Sequence, residues 1–175
     1  MKKGIALAIS FFSSTAFADP AIFNMELGKT TETQLMSMYD VQHTGINKYS
    51  GGNMYSVPAS SINFDGLQKV TAVFDTRGAL IAVLTTLPKS KFDYLNQTLG
   101  GKYRRVNQNI PFVGNKSATY RDGGTEITLE APHMSFEMSM NYIRDDLKQG
   151  RPRKLSATPD LSGKVLPPCH MKNSA

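Results

Sequence analysis

The chain has 175 residues, 40% of them hydrophobic and 19% charged, with no tryptophan and a single cysteine. That length admits one domain of ordinary size plus tails and excludes a large multidomain enzyme. The lone cysteine excludes an intramolecular disulfide framework, and no apolar run reaches the ~18 residues a membrane span needs.

The formal net charge of +6 is unevenly placed. Lys2 and Lys3 precede a short apolar run from Gly4 to Phe12, and Ala16-Phe17-Ala18 forms an A-x-A cleavage signature before Asp19. Residues 1–18 therefore read as a bacterial signal peptide, cut between Ala18 and Asp19. No cysteine sits at the cut to carry a lipid anchor, so the expected location is the periplasm or the medium. Removal of the leader leaves 18 basic against 14 acidic residues, a net +4. From residue 150 onward Arg151, Arg153, Lys154, Lys164 and Lys172 stand against Asp160 alone, again +4. Residues 19–149 hold 13 residues of each sign and are neutral. With no basic excess on the folded part, nucleic acid is not an expected partner.

The segment 150–175 is punctuated by Gly150, Pro152, Pro159, Gly163, Pro167 and Pro168 and lacks aromatic residues. Its composition predicts a disordered basic tail. It contains Cys169-His170-Met171, three soft or borderline ligand types, but a chain end does not by itself hold ligands in fixed geometry. No metal site or cofactor is expected.

Within 19–149, Thr31-x-x-Gln34 has capping-box spacing, and Leu35, Met38 and Tyr39 follow at i, i+3, i+4. A second helix is predicted from Ser90, with Asp93 three residues on, a stripe of Phe92, Leu95 and Leu99, and Gly100-Gly101 as its stop. Strand signals lie at Met54–Val57, Ile62–Phe64, Val70–Asp75 and Ala79–Leu87, the last two joined through Asp75-Thr76-Arg77-Gly78. After the second helix they lie at Tyr103–Val106, Ser117–Arg121, Thr125–Ala131 and Met134–Ile143, with a turn at Asp122-Gly123-Gly124 and another at Ala131-Pro132-His133. The alternation Met134, Phe136, Met138, Met140, Tyr142 predicts one core face of a strand rather than a thioether metal site. Asp145-Asp146 reads as a solvated terminal turn.

Each half thus runs capped helix, irregular glycine-containing strands, then a long hairpin. The expected fold is α+β: a single antiparallel sheet with two helices on one face, built from two tandem helix–β-hairpin repeats at about 27–87 and 88–145.

The opening Ile22-Phe-x-Met-x-Leu-Gly-Lys-Thr-Thr-x-x-Gln-Leu35 resembles the small envelope modules of the outer-membrane small protein A and β-lactamase-inhibitor-protein-like group. The lipid-attachment cysteine of the anchored members and the disulfides of the secreted inhibitors are both absent. The resemblance implies protein binding on a sheet face without catalysis. Ser50-Gly51-Gly52-Asn53-Met54-Tyr55 is similar to the Ser-Gly-x-x-Tyr signature of bacterial lysozyme inhibitors, with the tyrosine one place late, and marks a candidate contact loop.

Gly28-Lys29-Thr30 is not a phosphate-binding loop, because Phe23 stands where that loop needs glycine. His43 and His133 are the only histidines before the tail, and no nucleophile elbow is present, so no catalytic residue is assigned. The expected function is an exported, non-catalytic binding protein that meets an envelope component or an incoming enzyme or toxin through a sheet face or hairpin loops. The alternatives are a periplasmic small-ligand or metal carrier and a hydrolase. The contact residues chosen, for aromatic and arginine character in loops, are Tyr49, Asn53, Tyr55, Arg77, Phe112 and His133.

Overall fold

The computed structural model describes residues 19–149. The expected signal peptide, the tail and Cys169-His170-Met171 lie outside the described residues.

The described residues open with a small ribbon of β1 (Ala21–Ile22) and β2 (Met25–Glu26), turned through Phe23 and Asn24 at positive φ of 52° and 58°. Such a conformation is uncommon for phenylalanine and needs outside support. The Phe23 carbonyl accepts from the Tyr39 hydroxyl at 2.8 Å, and its ring stands edge-on to Phe64 at 5.5 Å. Ile22, Met25 and Leu27 enter the core. Gly28, at φ +78°, lets the backbone pass the Arg144 guanidinium, into which a Cβ would collide.

Helix α1 (Glu32–Met38) begins with the expected capping box: the Gln34 N–H donates to the Thr31 hydroxyl at 3.3 Å, and the Thr31 N–H donates to Gln34 Oε1 at 2.9 Å. Two turns bury only Leu35, so Met38 of the expected apolar face stays exposed. Four strands follow: β3 (Gln42–Ile46), β4 (Gly51–Val57), β5 (Lys69–Asp75) and β6 (Leu80–Pro88). Helix α2 (Phe92–Lys102) then precedes β7 (Arg104–Asn109), β8 (Lys116–Asp122), β9 (Thr125–Ala131) and β10 (Glu137–Arg144), and α3 (Asp145–Gln149) closes the described chain.

The eight longer strands form one antiparallel sheet in the order β3-β4-β5-β6-β10-β9-β8-β7, beside the separate two-stranded ribbon. The fold is therefore α+β and mostly antiparallel, with two sheets where one was expected. One register runs across the whole width: His43, Tyr55, Ala72, Val83, Tyr142, Ile127, Tyr120 and Arg105 are successive partners. The six inner members are buried and belong to a single core with Leu35 of α1 and Phe92, Leu95 and Leu99 of α2. Both helices cover this face because period-2 alternation in the inner strands leaves their apolar half here. The opposite face carries a smaller cluster of Val73, Ile81, Ala82, Ile143 and Leu147, the last from α3.

Several local expectations give way to this packing. Strand β3 is an exposed edge that alternation does not announce, and Ile62–Phe64 is a loop after a 3-10 turn at Ala59–Ser61. Ser90 does not cap α2; a 3-10 turn at Lys89–Lys91 leads straight into it. Gly100-Gly101 does not end that helix, which continues to Lys102, and the Arg105 guanidinium occupies the space a side chain at 100 would need. Asp145 and Asp146 open α3, where Asp145 pairs with Arg121 and Asp146 with Arg144.

The largest correction concerns the methionine stripe. Met138, Met140 and Tyr142 are core, but Met134 and Phe136 are 93% and 95% exposed. Strand β10 begins at Glu137, paired with Pro88, the last residue of β6. Pro88 has no N–H to extend the ladder, and the chain leaves for α2. Beyond that rung no strand lies beside Phe136 to cover it.

Candidate functional site

Two hairpin turns carry more large apolar side chains than turns ordinarily do. The β7–β8 turn is Ile-Pro-Phe-Val-Gly-Asn at 110–115, and the β9–β10 turn includes Pro-His-Met-Ser-Phe at 132–136. Phe112 is fully exposed, Val113 is 66% exposed and Ile110 38%, beside the nearly bare Met134 and Phe136. Because Lys116 pairs with Ala131, both turns lie at the same end of the sheet. The His133 N–H donates to Asn115 Oδ1 at 2.8 Å and ties one turn to the other.

The second turn is held from below. The Lys89 ammonium donates to the carbonyls of Pro132 (2.7 Å) and His133 (3.0 Å), and the Lys89 N–H donates to the Phe136 carbonyl at 2.7 Å. Within the turn, the Ser135 N–H donates to the Pro132 carbonyl at 3.3 Å and the Glu137 N–H to the Ser135 hydroxyl at 3.0 Å. Backbone groups of Pro132, His133, Ser135 and Phe136 are thus occupied internally, while the Met134 and Phe136 side chains face out. Little ordering remains to be done when such a surface meets a partner. Its surroundings mix signs: Lys91 pairs with Asp65, Lys116 approaches Asp93 at 3.5 Å, and Glu130 and Glu137 are exposed.

The six expected contact residues do not form one surface. Phe112 and His133 share the hairpin end just described. Tyr49 and Arg77 lie in neighbouring turns at the opposite end, next to the Gly51–Asp75 pair. Arg77 is bound to the Asp75 carboxylate through Nε at 2.9 Å and Nη2 at 2.8 Å. Asn53 and Tyr55 are not loop residues at all; they stand within β4, and Tyr55 is buried.

Those last two belong to a polar tie between α1 and the sheet. The Tyr55 hydroxyl donates to Glu32 Oε2 at 2.7 Å, and Asn53 Nδ2 donates to both Glu32 oxygens at 3.0 and 3.2 Å. His43 Nε2 lies 3.2 Å from Asn53 Oδ1, with its ring edge-on to Tyr55. Burial, then the Glu32 carboxylate, push the Tyr55 phenol above its ordinary pKa. Its chemistry is anchoring: Glu32 accepts every hydrogen bond it is offered from β4.

Residue-by-residue reading missed Ile110, Val113, Met134, Phe136 and Lys89. For the first two a signal was present, since three large apolar residues crowd a turn between two polar strands. For Met134 and Phe136 the alternation of β10 runs on unbroken into the turn and hides its end. Among the described residues no group of three or more His, Cys, Asp or Glu side chains is placed to hold a metal ion, and no helix is long and apolar enough to cross a membrane. No protein-family model matches this chain, and neither a curated protein nor a solved structure matches it.

Proposed function

We propose that this chain is an exported, non-catalytic binding protein that docks another protein through the paired hairpin tips at 110–115 and 132–136. One observation carries the reading: five large apolar side chains stand exposed on two turns that are joined by the His133–Asn115 hydrogen bond, the second of them clamped to the body of the fold by Lys89. Apolar patches of this kind, rimmed by polar residues, are characteristic of interaction sites. Export is supported by Asp19, the residue after the expected cleavage point, whose carboxylate accepts from Arg144 and, at 3.3 Å, from the Thr125 hydroxyl. The first residue of the expected mature chain is thus tied into the fold, in keeping with a periplasmic or secreted protein. The two runs of helix plus four strands, mirrored about the β6–β10 pair, support a tandem duplication akin to that of the envelope modules.

The test is retention of envelope proteins by the chain immobilised as bait, against a Phe112→Asp/Phe136→Asp bait with the same melting temperature. Loss of a stoichiometric partner from the double variant is expected. Identical retention by both baits would place binding elsewhere.

A further inference from the structure

Beside the apolar tips lies a hollow. A cavity of about 590 Å3 opens between the loop at 63–65 and the start of α2, lined by Asn63, Phe64, Asp65, Ser90, Lys91 and Tyr94. Its aromatic members are Phe64, steadied by Phe23, and Tyr94, 63% exposed; the Lys91–Asp65 pair stands at its polar side. Ser90 and Lys91 directly follow Lys89, whose N–H holds the Phe136 carbonyl. Protrusion and hollow are therefore neighbours on one end of the molecule.

That adjacency is what a two-fold interface requires, because an isologous patch must contain both a feature and its own receptor. The charges agree. Lys89, Lys91 and Lys116 are interspersed with Asp65, Asp93, Glu130 and Glu137, so two copies meet without a single-sign barrier, and the described residues at this end do not concentrate positive charge for an anionic bilayer. The area is also adequate. A phenylalanine buries about 150–250 Å2, so Phe112 and Phe136 alone supply roughly 300–500 Å2 per copy. With Met134, Val113 and Tyr94 on both sides, the total passes the ~1,000 Å2 that a specific interface needs.

We propose that the partner docked at this end is a second copy of the chain, two protomers meeting about a two-fold axis with Phe136 of each in the Phe64–Tyr94 hollow of the other. This rests on the reading of the tips as a protein-docking surface and names the protein that occupies it.

Sedimentation equilibrium of the purified chain across the micromolar range tests it. A monomer–dimer equilibrium is expected, weakened at least ~10-fold by Phe136→Asp and, separately, by Tyr94→Asp. Both residues are exposed, so the melting temperature should stay put. In a Cys169→Ser background, Met134→Cys protomers should cross-link to Asn63→Cys protomers faster than either does to itself. A chain that sediments as a monomer throughout, a dimer indifferent to Phe136→Asp, or dominant 134-to-134 cross-linking overturns the proposal. A monomer whose bait still loses a different protein on Phe136→Asp would sink the second copy and leave the docking surface standing. Binding to anionic vesicles that vanishes with Phe136→Asp, without dimerisation, would sink both.

Discussion

Lys89 and Phe136 meet one step beyond the last rung of the β6–β10 ladder, where the Lys89 N–H donates to the Phe136 carbonyl at 2.7 Å. The same lysine turns its ammonium to the carbonyls of Pro132 and His133, so one residue of the 3-10 turn before α2 fixes both ends of the apolar turn. Lys89→Met removes the ammonium and keeps the stem and the backbone bond. Hydrogen exchange should then accelerate at the amides of His133 and Ser135. The global stability should fall by only about 1 kcal/mol, the ordinary net worth of such bonds. Unchanged exchange there would show that the turn is rigid without its clamp.

Exposure separates two neighbours on the methionine stripe. Phe136→Ala should leave stability within about 0.5 kcal/mol of the parent, as for surface positions generally. Met138→Ala, at a 2% exposed site, should cost roughly 2–5 kcal/mol. Urea denaturation reads both. A large loss from Phe136→Ala would mean that the turn folds back on the core in solution.

The Asp75 turn makes a pH prediction. Partial burial works against its charge, but the N–H groups of Ala79 and Arg77 and the Arg77 guanidinium outweigh it and hold the carboxyl below its ordinary pKa. A group depressed in the folded state adds stability above its unfolded pKa and loses that contribution as pH falls through the folded value. Asp75→Asn should therefore melt lower than the parent at neutral pH, with the gap closing progressively below the usual carboxylate range. A gap independent of pH would contradict the assignment.

The anchor of α1 can be dissected by a double-mutant cycle. Tyr55→Phe keeps the ring in the core and removes only the bond to Glu32, for an expected loss of roughly 1.5–3 kcal/mol because the acceptor is charged. In a Glu32→Ala background the same substitution should cost close to nothing. Equal costs in both backgrounds would mean that the hydroxyl is satisfied from another direction.

Much of this architecture was readable in the residues alone, wherever the deciding interaction spans a few positions. The Thr31–Gln34 capping box and the Asp75–Gly78 turn close on themselves within five residues, and β9 is legible from Thr125 to Ala131 because period-2 alternation is local. The misreadings share another cause. Whether Phe136 is core depends on β6 stopping at Pro88, about fifty positions earlier, and whether Asn53 and Tyr55 lie in a loop depends on β4 pairing with β5. The candidate site follows the same division. The chemistry of Phe112 and His133 is local, but their convergence with Met134, Phe136 and Lys89 follows from the Lys116–Ala131 register and from the 3-10 turn at Lys89–Lys91. Composition along a chain records propensity and period; exposure is a property of what other segments arrive to cover, and that is set only when the eight strands pair.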